Sequence, residues 1–100
     1  MRLYDLARVV RSKNAGPFAL TIDVILGSGG DLERVLASPS FTAERIAGLY
    51  GAAPETVSIR PFARVFAVKV TLPRPAGSGS PDDRDVYGSQ QHVPLADIDV

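Results

Sequence analysis

"FALTIDVIL", residues 18–26, and its later counterpart "RVFAVKVTL", residues 64–72, decide the fold. In the first, Leu20, Ile22, Val24 and Leu26 point one way. Ala19, Thr21, Asp23 and Ile25 point the other. Strict alternation of this kind marks a strand with one buried face. In the second, Phe66, Val68, Val70 and Leu72 make one face, and Val65, Ala67, Lys69 and Thr71 the other. Asp23 and Lys69 then face each other across neighbouring strands, a pair worth about half a kcal/mol or less.

Between these strands the chain reads as helical. "GSGG" (27–30) ends the first strand, and Asp31 caps a short helix over 32–38, with Leu32, Val35 and Leu36 on one side. Pro39 stops it. Thr42 caps a second helix, 42–50. Phe41 and Ile46 have the spacing of a hydrophobic staple, and Gly51 closes the C-terminus. "TVSIRPF" (56–62) is a strand with Val57 and Ile59 inward. Pro61 donates no ladder hydrogen bond, so this strand belongs at a sheet edge. It forms a tight hairpin with 64–72, and "LADIDV" (95–100) reads as a last strand. Residues 3–12 leave helix, turn and strand open.

The order is strand, helices, strand, strand, irregular segment, strand. It predicts one α+β domain over 1–100, a ferredoxin-like antiparallel sheet with helices on one face. The second helix of that fold is reduced or replaced by the irregular segment "PRPAGSGSPDDRDVYGSQQH" (73–92).

Composition narrows the function. Lys+Arg and Asp+Glu are both 11, for zero net charge. General nucleic-acid binding asks for a basic surplus, and none is present. Cysteine is absent, which removes disulfides, thiolate nucleophiles and Cys-based zinc sites. "MRLYDLARVVRSKN" lacks the apolar stretch of a signal peptide, and no segment has the apolar length of a membrane span. A soluble cytoplasmic protein is the expectation.

In the predicted topology the start of 18–26 lies beside the end of 64–72. The polar segments "RSKNAGP" (11–17) and "PRPAGSGS" (73–80) therefore leave the sheet at one edge. Arg11, Lys13 and Arg74 gather positive charge there, with Ser12, Asn14, Ser78 and Ser80 beside them. Backbone N–H groups around Gly16, Gly77 and Gly79 can form a nest for an anion. Arg84, Tyr87 and Gln91 complete a candidate site for a small anionic ligand. Alternatively, the cations pair with Asp82, Asp83 and Asp85 and pin the segment down. His92, oriented by Asp85 or Asp83, has the pKa range of a general base. The commoner role for a lone histidine is a loop hydrogen bond. "GSGSPDD" lacks the Gly-Lys-Ser/Thr of a P-loop, and "ILGSGGDLER" lacks the spacing of a dinucleotide fingerprint. No metal-ligand spacing recurs, so neither metal nor cofactor is expected.

"LYDLARVVRSKNAGPF", "VTLPRP" and "GSGSPDDRDVYGSQQHVPL" together resemble a bacterial domain-of-unknown-function family of small free-standing chains. That family in turn is similar to the ferredoxin-like C-terminal domain of acyclic terpene utilisation (AtuA-like) proteins. Leu3, Asp5, Leu6, Ala7, Arg11 and Ser12 match its N-terminal pattern, while "KNAG" (13–16) replaces a Gly-Asp-Lys-Gly loop. The resemblance implies a companion of a larger AtuA-like protein in branched acyl or organic acid catabolism. It transfers no catalytic residues. Three functions follow: an accessory or ligand-binding subunit sharing a site built from 11–17 and 73–92; a small lyase or isomerase with His92 as base; or a homodimer packed on the face of Ile25, Val65, Ala67 and Thr71.

Overall fold

The computed structural model describes residues 1–16, 18–73 and 93–100, with the side chain of Val93 excepted. Four strands form one antiparallel sheet: β1 (Val9–Asn14), β2 (Ala19–Ile25), β3 (Ser58–Phe62) and β4 (Ala67–Pro73). Their order is β1-β2-β4-β3. Among the described residues, helices α1 (Leu3–Leu6), α2 (Gly29–Ala37), α3 (Ala43–Tyr50) and α4 (Val93–Ala96) accompany the sheet, with 3-10 turns at Pro54–Thr56 and Ala63–Val65. The class is α+β, as expected.

One face of the sheet makes the core. Leu20, Ile22 and Val24 of β2 and Val68, Val70 and Leu72 of β4 are essentially inaccessible to water. Against them pack Leu3, Leu32, Val35, Ile46, Tyr50 and Leu95, from all four helices. Burying an aliphatic side chain of this size is worth about 1.5–3 kcal/mol, so this layer dominates stability. Phe41 and Ile46 are both buried, as the staple requires.

The helix ends follow local chemistry. The Thr42 hydroxyl accepts from the Arg45 N–H at 3.2 Å, and Gly51 takes a left-handed conformation, φ 66°. α2 starts earlier than the sequence suggests. Its cap is Ser28, not Asp31, because the Ser28 hydroxyl accepts from the Asp31 N–H at 3.2 Å. Leu36, expected on the buried side, is exposed.

Two strand assignments change. β3 lies at an edge, where Pro61 put it, but β4 begins at Ala67 rather than residue 64. Residues Ala63–Val65 form a 3-10 turn, and Phe66 leaves it in the left-handed region, φ 54°. Val65 therefore belongs to the hairpin tip, not to the second sheet face.

The other change concerns the fourth strand. The place beside β2, assigned from sequence to 95–100, is taken by β1. Along "VVRSKN" the exposed Val9, Arg11 and Lys13 alternate with the more covered Val10, Ser12 and Asn14, and Ala15 N–H donates to the Ala19 carbonyl (3.0 Å). Closing so short a loop costs little entropy. Pro94 instead sits in the first turn of α4, where a missing N–H breaks no helix hydrogen bond. The last residues clasp the first: Leu3 N–H to Ile98 O at 2.8 Å, Val100 N–H to Met1 O at 2.9 Å, and an Arg2–Asp99 bridge. Arg2 also holds Asp97 at 2.8 Å. The N-terminal ammonium, hydrogen-bonded to Asp99, holds that carboxyl below its usual range.

Tyr50 ties α3 to α4. Its oxygen accepts from the buried Leu95 N–H at 3.3 Å. Burial pushes its hydroxyl up to about 12, and the hydrogen bond opposes that only in part.

Candidate functional site

Register determines what the uncovered face of the sheet presents, because directly paired residues share a face. Three rows run across it. Val9, Ile25, Ala67 and Phe62 form an apolar row. Arg11, Asp23, Lys69 and Arg60 form a charged row. Lys13, Thr21, Thr71 and Ser58 form a polar row towards the end where β1 and β4 finish. The buried residues of the described helices pack on the opposite face, although Thr21 in the polar row is itself buried, at 8%.

The charged row is unbalanced. Asp23 is its one carboxylate, mostly buried, and its ion pair is with Arg11, Nε to Oδ2 at 3.6 Å. Asp23 and Lys69 do stand opposite each other, as the alternation implies. Yet the Lys69 ammonium leans over the Phe62 ring, 5.9 Å from its centroid. Arg60 stands directly opposite Lys69. Lys13 and Arg60 make no ion pair among the described residues.

The candidate residues on 11–14 do not act as a loop. They lie on β1, and its pleat divides them. Arg11 and Lys13 join the open face, whereas Ser12 and Asn14, paired with Ile22 and Leu20, turn to the core side. Ser12 is buried. This corrects the view of 11–17 as an irregular segment, in which four side chains converge on one ligand. Gly16 does take a conformation that favours glycine, φ 96°. Arg74, Ser78, Ser80, Arg84, Asp85, Tyr87, Gln91 and His92 lie outside the described residues, as do Gly77, Gly79, Asp82 and Asp83.

The predicted convergence of chain segments holds as far as Pro73. Asn14 pairs with Leu20, and Ala19 with Pro73. The ends of β1 and β4 thus flank β2, about 10 Å apart at two strand spacings.

Among the described residues, the hollows on the surface include two with defined linings. One, about 370 Å³, is lined by Tyr4, Ala7, Arg8, Val9 and Val10. The other, about 180 Å³, is lined by Ser40, Arg45, Leu49, Ile98 and Asp99. The first is lined by no carboxylate and no histidine, and the second holds Ser40 and Asp99. No group of three or more described His, Asp or Glu residues could hold a metal ion. No described helix is long and apolar enough to cross a membrane.

Sequence reasoning missed Arg60 as a partner of Arg11, Lys13 and Lys69. The signal was available in the alternation of "VVRSKN" and "SIRPF", but only register shows that the cations meet.

The family model for a domain of unknown function, DUF4387, matches residues 3–99. The chain belongs to that family. The DUF4387 match runs from the buried Leu3 of α1 to Asp99 of the terminal clasp, so it takes in the whole sheet and its helical layer. No curated protein and no solved structure matches the chain. Nothing in the DUF4387 match bears on AtuA-like proteins, and that resemblance rests on the residues quoted for it. Of those residues, Leu3 is fully buried and Leu6 and Ala7 pack against the core. They report on the fold as much as on any function.

Proposed function

We propose that this DUF4387 protein is an accessory or binding subunit that works docked on a larger protein. The observation that carries the reading is the open sheet face. It combines a row of apolar side chains with an excess of cations, and the buried residues of the described helices pack on the opposite face. Exposed apolar surface rimmed by polar groups marks interaction sites in soluble proteins. Phe62 is 43% exposed and Val9 41%, on the outer strands of that face. A flat surface suits a protein partner better than a small molecule, which binds in concave pockets that bury most of it.

The AtuA-like resemblance supports a specific partner, a larger acyclic terpene utilisation protein acting on branched acyl or organic acids. The ends of β1 and β4, at one end of the sheet, would then face a shared site for an anionic ligand. We also place the subunit in the cytoplasm, where a chain without cysteine loses nothing by lacking disulfides.

The test is to mix the purified chain with such a protein and follow both by gel filtration. Co-elution as one complex is expected, and weakened co-elution when Phe62 is changed to Ser. Separate elution at micromolar concentrations of both proteins overturns the reading.

A further inference from the structure

We propose that the open sheet face recognises an acidic, apolar-bearing segment of a partner protein, with Arg11, Lys13, Arg60 and Lys69 reading carboxylates and Val9 and Phe62 gripping apolar side chains. This deepens the reading above and rests on it, by giving the docking surface its chemistry.

Charge carries the argument. The chain is neutral overall, with Lys+Arg and Asp+Glu equal at 11 each. The fourteen paired positions of this face hold four cations and the single carboxylate Asp23. The excess is therefore local, and a local excess steers and orients an oppositely charged partner. Arg11 satisfies Asp23 within the face. Lys13 and Arg60 are exposed and Lys69 lies half-buried over the Phe62 ring, and none of the three has an ion pair with a described carboxylate.

Arg60 sharpens the point. It stands directly opposite Lys69. Like charges in directly opposed positions destabilise a sheet. Nothing in the fold requires that pair, since both side chains lie away from the core. An incoming carboxylate would sit between the two and turn a repulsion into a bridge. The apolar row is one residue pair further along the strands, so an occupant must carry acidic and apolar groups side by side.

Other occupants fit less well. A second copy packed face to face would set cations against cations. A nucleic acid would find a single described ring on this face, Phe62 at its edge, and none on the central strands β2 and β4, too few for successive bases to stack. A small acid would find no walls.

The experiment uses the full chain and three peptides of one amphipathic design: Glu with Leu, Gln in place of Glu, and Lys in place of Glu. An oligouridylate is the nucleic-acid probe. Binding is read by fluorescence anisotropy at low salt and at about 300 mM salt. The bound face is mapped by amide chemical shifts. The Glu peptide should bind about tenfold more tightly than the Gln peptide, shift Thr21, Arg60 and Lys69, and weaken with salt. Arg60→Gln/Lys69→Gln should remove that preference while the shift dispersion of the core stays intact. Arg60→Glu/Lys69→Glu should reverse it in favour of the Lys peptide.

Equal binding of the Glu and Gln peptides on this face overturns acid recognition and leaves the docking function standing. So does a co-eluting complex with the large partner that is indifferent to both charge variants. Tighter binding of the oligouridylate, or a dimer in sedimentation that buries this face, also overturns the proposal. If no large partner co-elutes but the Glu peptide binds as described, the accessory-subunit reading fails and the recognition chemistry survives.

Discussion

Along β2, successive residues live in two worlds. Leu20, Ile22 and Val24 have no measurable exposure, while of the residues alternating with them Ala19, Asp23 and Ile25 are only partly covered and Thr21 alone is buried, at 8%. The same split runs along β4, where Val68, Val70 and Leu72 alternate with half-buried Ala67, Lys69 and Thr71. One face collects the apolar contacts that hold the molecule together. The other retains charges and apolar edges that contribute little to folding. The difference teaches where to look for each property: stability on the helix-covered face, recognition on the open one.

The largest expected effect tests that division within one strand. Ile22→Ala should destabilise the fold by about 2–5 kcal/mol, the cost of a cavity in a packed core. Ile25→Ala, three residues on and facing the other way, should cost about 1 kcal/mol or less, in line with partial burial. Urea denaturation of the two variants gives the comparison directly. Equal losses would mean that the open face is packed as tightly as the core, and the division would break.

A second test reaches the layer above the covered face. Tyr50→Phe removes the acceptor for Leu95 N–H and leaves a buried donor unpaired, a cost of about 1–3 kcal/mol. It should also change the response to alkali. The unfolded tyrosine releases its proton near pH 10, whereas Tyr50 holds its proton to about 12. Below pH 10 both states keep the proton and the full stability is present. Between about 10 and 12 only the folded state keeps it, so stability falls through that window, by about 3 kcal/mol in all. The Phe variant should lack this part of the alkaline loss. A wild-type curve with the same slope as the variant over that window would show that burial does not perturb Tyr50.

The third test concerns the turn that returns the chain from α3 towards the sheet. Gly51 holds a left-handed conformation that costs a side-chain-bearing residue about 1–2 kcal/mol. A Cβ there would meet no neighbour within 4 Å. Gly51→Ala should therefore lose about 1 kcal/mol through backbone strain alone, read as a lowered urea midpoint with unchanged slope. A larger loss, or an altered slope, would point to packing that the open space around Gly51 does not provide.

These effects track how legible the molecule was. The covered face could be read from alternation, since burial imposes a period of two on 18–26 and 64–72 and leaves few ways to pack them. The edge place of β3 followed from Pro61, and the second helix from Thr42, Phe41 and Gly51, all local devices. The fourth strand was misplaced because "LADIDV", with four apolar residues in six, reads as the better strand beside "VVRSKN", with two, whereas the choice between them is one of connectivity. A short hairpin favours the first, and Pro94 starts a helical turn in the second. The candidate site suffered from the same error. Taken as a loop, 11–14 offered four ligand-binding side chains; as a strand, it sends Arg11 and Lys13 one way and Ser12 and Asn14 the other. A cluster of cations on a sheet face belongs to no single segment. Arg60 and Arg11 lie at opposite edges of the sheet, and only the pairing of both strands through β2 and β4 brings them into one row.

The smallest expected change in stability has the opposite sign from the others and separates the two faces most sharply. Arg60 is exposed and opposes Lys69 across the β3–β4 pair. Replacing it with glutamate removes a like-charge neighbour and supplies Lys69 with a carboxylate. Cross-strand charge pairs of this kind are worth about 0.2–1 kcal/mol, and exposure keeps the gain near the lower end. Arg60→Glu should therefore raise the urea midpoint slightly at low salt, and less so at high salt, where screening weakens both the repulsion and the new pair. The same substitution should weaken binding of the acidic peptide. A core residue cannot behave this way, because there a change that harms packing lowers stability and function together. A substitution that strengthens the fold while it weakens recognition identifies a residue kept for its partner, a trade that binding surfaces make and cores do not. If Arg60→Glu lowers stability instead, Arg60 supports the sheet, and the division between the two faces is less complete than their exposures imply.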